Sequence, residues 1–289
     1  MSRYRSLGLT REPFAPEPDL AFQSPALGQT DALTRLTDFV IGRGTIALVL
    51  GPAGIGKTML RLALTRDLAP QPALRIVALD RPDEWSTDVA FLKAVSAVLG
   101  GEVAGRTTLD LLTEIETILA IAVDEDHQQL LLIDDAHRLT SSQLELLRTV
   151  SSIEPNSLSI VLFAEPELDE RIARRRSLAG RITMRHTLNP LNSNDAVELL
   201  HHRLTVAGAE EAEALFDGGA CNALVVQSGG NPGALIALAA KAVDLGARRN
   251  VGVIDRSIAN EATGVRERPL VSARQIAFDL DGMETGHSA

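Results

Sequence analysis

TIALVLGPAGIGKT (residues 45–58) joins a short apolar run to a glycine-rich turn that ends in a lysine and a threonine. The spacing of the turn is G-x-x-x-x-G-K-T, and the following KTMLRLALTRDL (57–68) has the apolar pattern of a helix. Strand, glycine-rich loop and helix in this order are the context in which such a loop binds phosphate. Glycines let successive backbone amides point inward, and the helix N-terminus adds the positive end of its dipole. The stretch therefore predicts a nucleotide-binding loop at the end of a strand.

The loop residues predict how phosphate and metal are held. Lys57 is expected to reach the β- and γ-phosphates and to take part in catalysis, and the Thr58 hydroxyl is expected to ligate Mg²⁺. A glycine-rich turn with an incidental lysine is the alternative, which the flanking strand and helix disfavour. The predicted nucleotide-binding residues are Gly51, Pro52, Ala53, Gly54, Ile55, Gly56, Lys57, Thr58 and Met59.

A second apolar run, LLLIDDAH (130–137), ends in two adjacent carboxylates. A protein with a phosphate-binding loop needs an acid on a neighbouring strand to hold the metal through water, and Asp134 is in that position. Asp135 is predicted to point toward the γ-phosphate and to orient or deprotonate the attacking water. The alternative for Asp135 is that it caps the helix that follows.

Apolar runs recur along the first two thirds of the chain and alternate with helical patterns. Runs that are apolar throughout must be covered on both faces, as in a parallel sheet. Strands that alternate with helices predict an α/β fold. The remaining predicted strands are RIVALD (75–80), LLLID (130–134) and LSIVLF (158–163), and the predicted helices include residues 31–41, 86–100, 108–123 and 141–153.

Changes in composition predict four segments. Residues 1–30 are rich in proline, which breaks helices, and are expected to form an extended segment that packs on the core. Residues 31–190 form the predicted phosphate-loop core, which ends with a last strand in RITMRHTL (181–188). Residues 191–264 read as a small all-helical domain, and residues 265–289 as a largely disordered tail with little apolar periodicity.

Charge and composition exclude several classes of protein. The net charge of −10 gives no support to an extended basic surface for nucleic acid, so DNA binding is possible but not favoured. The single cysteine, Cys221, cannot form an intramolecular disulfide, and no metal-ligand spacing surrounds it. No apolar run approaches the roughly 18 residues that a membrane span needs. We therefore expect a cytoplasmic protein without a membrane segment of its own.

Several stretches together resemble AAA+ ATPases of the general secretion pathway A (ExeA-like) type, a broad family that includes ATPases regulating DNA transposition. The resemblance covers about residues 4–262 and implies a five-stranded parallel-sheet core with a C-terminal helical lid. It further implies ATP and Mg²⁺ as cofactors, and self-association into a ring or filament. The stretches that carry it are SLGLTREPFAPEPDLAF (6–22), the loop 51–58, IDDAHRL (133–139), VLFAEPEL (161–168), RITMRHTLNPL (181–191) and QSGGNPGALIAL (227–238).

The resemblance also implies roles for a basic cluster before the last strand. Arg181 matches the family's arginine finger, which stabilises charge on the phosphoryl group at a neighbouring subunit's site. The alternative is a solvated basic helix end. For Arg174, Arg175 and Arg176, solvation or contact with a partner is expected; Arg171 belongs to the same cluster.

Three residues depart from the family pattern. Asp135 is one methylene shorter than the Glu of most relatives, and Glu165 stands where a polar residue usually senses the γ-phosphate. Gly233 follows Pro232 where relatives often carry a lid arginine. By the same resemblance PFAPEPDLAF (13–22) would lie near the adenine, with simple surface packing as the alternative.

These observations predict an ATPase that converts ATP and water to ADP and phosphate, slowly and as an oligomer. Its expected role is to remodel or regulate a protein partner in a secretion or envelope assembly. Two alternatives stay open: an ATP-dependent, DNA-associated regulator of the transposition type, and a nucleotide-binding switch with little turnover. The three departures favour the switch.

Overall fold

The computed structural model describes residues 4, 7–24 and 29–264, so the predicted tail at 265–289 lies outside the described residues. Its strands form one parallel sheet in the order β2-β3-β4-β1-β5. β1, β3 and β4 are buried along their whole length, as their apolar sequences predict. The predicted α/β parallel sheet is confirmed. The strands are β1 (Ile46–Leu50), β2 (Leu74–Leu79), β3 (Gln128–Ile133), β4 (Leu158–Ala164) and β5 (Ile182–Thr187).

Helices cover both faces of this sheet. Alternate strand residues pack into two separate apolar clusters, one with α1 and α2 and the other with α3, α4 and α5. Threonine side chains cap α3, α4 and α5 by accepting a backbone N–H in the first turn. The helices of this part are α1 (Thr30–Ile41), α2 (Lys57–Leu68), α3 (Asp88–Leu99), α4 (Thr108–Asp124), α5 (Ser141–Val150), α6 (Glu167–Ala173) and α7 (Arg176–Ala179).

The remainder of the described chain is helical, as the sequence predicts. The stretch 210–230, which reads as one helical piece, is divided in two because Phe216 is extended and Asp217 caps the second helix. Among the described residues, no helix combines the length and apolar character needed to cross a membrane. The helices are α8 (Ser193–Val206), α9 (Ala212–Leu215), α10 (Gly218–Ser228), α11 (Pro232–Arg249) and α12 (Arg256–Thr263).

The N-terminal segment contributes apolar side chains to the core of the helical region. We expected residues 1–30 to pack on the phosphate-loop core. Among the described residues of this segment, the buried apolar side chains join the cluster of α8, α10, α11 and α12, and Gln23 accepts a hydrogen bond from Arg66 of α2 at 2.8 Å. Helices cover both faces of the sheet, and the apolar side chains of the N-terminal segment enlarge the core of the small helical region. The contributing residues are Tyr4, Leu7, Leu9, Phe14 and Phe22.

Candidate nucleotide-binding site

A cavity of about 400 Å³ opens where the phosphate loop, the N-terminal segment and the helical region meet. Part of its lining comes from the loop, the start of α2 and the residues that follow β3 and β4, and it includes the polar side chains of the site: Ala53, Gly54, Gly56, Lys57, Thr58, Met59, Asp135 and Glu165. The rest comes from the N-terminal segment and the helical region: Ala15, Pro16, Glu17, Pro18, Phe22, Leu199, Arg203, Pro232, Gly233 and Ile236. Residues that are far apart in the sequence therefore share one cavity.

The loop has the backbone shape that its glycines predict. Gly54 and Gly56 have φ of 77° and 104°, a left-handed conformation that favours glycine. Gly56 immediately precedes α2, whose first turn receives no hydrogen bond from a capping side chain. The Gln29 side-chain amide donates to the Gly56 carbonyl at 3.0 Å and supports the loop from outside. The free amides of this helix N-terminus suit a phosphate group.

Lys57 is held inside the loop. Its Nζ donates to the carbonyl oxygens of Gly51 at 2.7 Å and Pro52 at 3.0 Å. Burial lowers the pKa of Lys57, whereas the nearby carboxylates of Glu165 and Asp135 act to raise it. The ammonium group thus lies at the cavity wall with acidic groups around it.

The two predicted metal residues are in contact. Thr58 Oγ1 donates to Asp134 Oδ2 at 2.9 Å, although 76 positions separate them in sequence. A hydroxyl and a carboxylate are hard oxygen donors, which suit Mg²⁺. No group of three or more His, Cys, Asp or Glu side chains within the described parts of the chain could hold a metal alone. The donor set therefore fits Mg²⁺, which usually keeps several waters and shares phosphate oxygens.

Arg61 belongs to this group of residues, and sequence reasoning did not identify it. Its Nε donates to Asp134 Oδ2 at 3.3 Å, and its Nη2 lies 3.3 Å from Asp80 Oδ1 at the end of β2. Arg61 follows Lys57 by four residues, so both lie on one face of α2, and that spacing was the available signal. The Arg61 side chain is only 11% exposed, and its contact holds the Asp134 carboxylate in place.

Asp135 and Glu165 both line the cavity. Asp135 has a left-handed backbone (φ 49°), and its N–H donates to Asp134 Oδ1 at 3.0 Å. Its side chain makes no capping hydrogen bond to the short turn Ala136–Arg138, so the alternative capping role is not observed. Glu165 Oε1 lies 3.8 Å from Nε2 of His137. Two carboxylates at this wall are therefore available to a water molecule.

Of the basic cluster, Arg171 has an internal partner in the segment that follows the acidic pair. It donates to the carbonyl oxygens of His137 and Leu139, which ties that segment to α6. Arg181 is exposed at the start of β5 and does not line the cavity. Its expected action on a neighbouring subunit stays a prediction.

The helical region contacts the phosphate loop directly. Asn231 Nδ2 donates to the Ala53 carbonyl at 2.8 Å, and the Gly233 N–H donates to the Gly54 carbonyl at 2.9 Å. A Cβ at residue 233 would lie 2.9 Å from the Gly54 Cα, closer than atoms can pack. The position at which relatives often carry an arginine thus has room for glycine alone.

Residues 41–172 match the family model described as AAA domain. This part of the chain is similar to AAA domains. The chain is also 28% identical over 232 residues to general secretion pathway protein A of Aeromonas hydrophila. That match covers 78% of this chain and 41% of the relative, so the chain spans about two fifths of the relative's length. The resemblance to AAA+ ATPases of the secretion pathway A type is confirmed.

Solved structures with the same fold include ORC and Cdc6 proteins. The Aeropyrum pernix ORC1 protein in complex with DNA superposes with a TM-score of 0.69 at 16% identity, over 96% of this chain and 77% of that one. Cdc6p from Pyrobaculum aerophilum has a TM-score of 0.68 at 13% identity, over 84% and 69%. The Aeropyrum pernix ORC2 protein in ADPNP–ADP complexes has a TM-score of 0.62 at 17% identity, over 86% and 72%. At these identities the likeness shows the fold.

Proposed function

We propose that the protein binds ATP with Mg²⁺ and hydrolyses it to ADP and phosphate. The observation that carries the proposal is the Thr58–Asp134 contact at 2.9 Å beside a lysine-bearing phosphate loop, at one wall of a nucleotide-sized cavity. Thr58 and Asp134 would hold Mg²⁺, and the ion would neutralise charge on the phosphate oxygens. Such phosphoryl transfer needs positioned groups and charge stabilisation rather than a covalent intermediate.

Each side chain at the polar wall has a distinct part in this proposal. Lys57 exchanges its loop carbonyl partners for β- and γ-phosphate oxygens, which are stronger acceptors because they are charged. Asp135 accepts a proton from the attacking water or orients it, and Glu165 is the next candidate for that role. Arg181 completes the site of a neighbouring subunit in a ring or filament.

We propose that hydrolysis is slow. Asp135 is one methylene shorter than glutamate, so its carboxylate stands farther from a water at the γ-phosphate, and small misplacements of a catalytic group cost large factors in rate. A nucleotide switch with little turnover is the second candidate. The direct contact of Asn231 and Gly233 with the loop favours it, because the helical region can respond to loop conformation without any hydrolysis.

In either case, ATP hydrolysis or the nucleotide-dependent switch would act on a protein partner in a secretion or envelope assembly. The match to general secretion pathway protein A supports this, and it covers most of the present chain. A DNA-associated role has the support of fold likeness to a protein solved with DNA, but the net charge of −10 opposes it. Measuring binding to duplex DNA at low and high salt distinguishes the DNA-associated role from the protein-partner role, because contacts with DNA phosphates weaken steeply with salt.

The test compares ATP binding and phosphate release in the native protein with those of Lys57→Ala and Lys241→Ala. Lys241 is exposed on α11 and does not line the cavity, so it is the matched control. We expect Lys57→Ala to lose measurable ATP affinity and Lys241→Ala to keep the native value. Unchanged ATP binding in a folded Lys57→Ala protein would remove the basis of the proposal.

A further inference from the structure

Arg203 carries a charge that is buried beside the nucleotide cavity. The residue lies on α8, is 3% exposed and lines the same cavity as the phosphate loop. No ion pair with a carboxylate is seen for it among the described residues. Burial lowers the pKa of Arg203 to about 10, so the guanidinium stays protonated at neutral pH. A protonated group without a paired anion is costly to bury, and its hydrogen bonds indicate what it does.

The guanidinium holds the N-terminal segment. Its Nε donates to the Pro13 carbonyl at 2.7 Å, and its Nη2 donates to the Ala15 carbonyl at 3.2 Å. Its central carbon also lies over the Phe22 ring, 4.5 Å from the ring centroid. One planar group thus fixes both ends of the stretch 13–22 against α8.

The composition of this stretch explains why it needs such a partner. Proline has no backbone N–H, so a segment with Pro13, Pro16 and Pro18 cannot hold itself in place by pairing with a strand or by forming a helix. Its carbonyl groups still need donors. An arginine supplies two donors in a rigid planar arrangement, which the single ammonium group of a lysine does not reproduce.

The fixed stretch is also a wall of the cavity. Ala15, Pro16, Pro18 and Phe22 line it together with apolar side chains of the helical region. If the phosphates of a nucleotide occupy the loop, its base and ribose contact the remaining part of the cavity lining. Flat apolar and aromatic surfaces suit a base.

We infer that Arg203 is a positioning residue for the nucleobase, because it sets the place of the N-terminal segment against which the base lies. The inference rests on the proposed nucleotide binding. The inference assigns the two parts of the nucleotide to different parts of the cavity. The loop binds the triphosphate, and the N-terminal segment held by Arg203 binds the base. Loss of Arg203 then weakens binding of a nucleotide but not of a triphosphate without a base.

The experiment measures dissociation constants for ATP and for inorganic tripolyphosphate, each with Mg²⁺, by titration calorimetry. Arg203→Met keeps the length and apolar stem of the side chain but removes its donors. Because this variant loses the two hydrogen bonds that the guanidinium donates to the N-terminal segment, we expect ATP affinity to fall about 10-fold or more. Tripolyphosphate affinity should stay within about 2-fold of the native value. Arg203→Lys should fail to restore ATP affinity.

Two further variants make the result decisive. Arg248→Met is the matched control, because Arg248 is exposed on α11 and does not line the cavity, and both affinities should stay native. Phe22→Leu alters the wall without changing charge and should reproduce the selective loss of ATP affinity, which keeps the inference testable if Arg203→Met does not fold. Equal weakening of both ligands, or native ATP affinity, would overturn the inference. Native protein that binds neither ligand would instead refute nucleotide binding itself.

Discussion

Gly233→Ala tests the direct contact between the helical region and the phosphate loop. A Cβ at residue 233 would lie 2.9 Å from the Cα and 3.0 Å from the carbonyl oxygen of Gly54. Both are backbone atoms, so a flexible side chain cannot simply turn away. The N–H of Gly233 also donates to that same carbonyl at 2.9 Å, and a forced separation would break this bond. Even one methyl group should therefore displace the loop contact.

The cost follows from these two effects. Insertion of a methyl group into a filled contact costs about 1 to 3 kcal/mol, and a lost hydrogen bond about 0.5 to 1.5 kcal/mol. Together they disfavour the contact between the helical region and the phosphate loop by about 1.5 to 4.5 kcal/mol. This corresponds to a change of about 10-fold to 10³-fold in the equilibrium between the contacting and separated states. Gly233→Arg, which introduces the arginine that relatives often carry, has the same Cβ and should suffer at least as much.

Hydrogen exchange measured by mass spectrometry monitors this contact in both the phosphate loop and the helical region. In Gly233→Ala we expect faster exchange in peptides that contain residues 52–56 and 231–235, together with weaker ATP binding. Gly218→Ala is the control, because a Cβ there meets no atom within 4 Å, and it should exchange like the native protein. Native exchange and native ATP affinity in Gly233→Ala would refute the steric reasoning. Faster phosphate release by Gly233→Arg with the contact intact would refute it as well.

The remaining predictions concern catalysis. Asp135→Asn should spare ATP affinity and slow single-turnover hydrolysis by about 10² to 10⁴-fold, the usual value of general-base assistance; native rates would leave Asp135 as a turn residue and make Glu165→Gln the next variant to assay. Asp135→Glu restores the usual reach and should raise the steady-state rate of phosphate release, unless the surrounding wall fits only the shorter acid. Arg181→Ala should bind ATP but not hydrolyse it, and mixing it with Asp134→Ala should recover activity at hybrid interfaces. No recovery at any mixing ratio, with co-assembly demonstrated, would contradict action between subunits.

The prolines and the Phe22 ring of the N-terminal segment illustrate where sequence reasoning stopped. Proline content predicted an extended segment, and residues 13–22 are indeed not part of a strand or α-helix. Periodicity shows that a face is apolar without showing which other face covers it, so the sequence did not reveal that this segment adds side chains to the core of the helical region. Arg203, at 190 positions from Pro13, carries no local signal of this contact.

The sequence by itself determined the features that contiguous residues create. Sequence alone predicted the loop at 51–59 and the apolar strand that leads to Asp134. Their chemistry depends on neighbours in the chain, such as glycines that permit a turn and a lysine at the start of a helix. Only the tertiary structure decided which distant groups meet: Thr58 and Arg61 at Asp134, and Asn231 at Ala53. These contacts arise because parallel strands bring their carboxyl ends to one edge of the sheet, and because burial requires each polar group to find a partner wherever the fold places one.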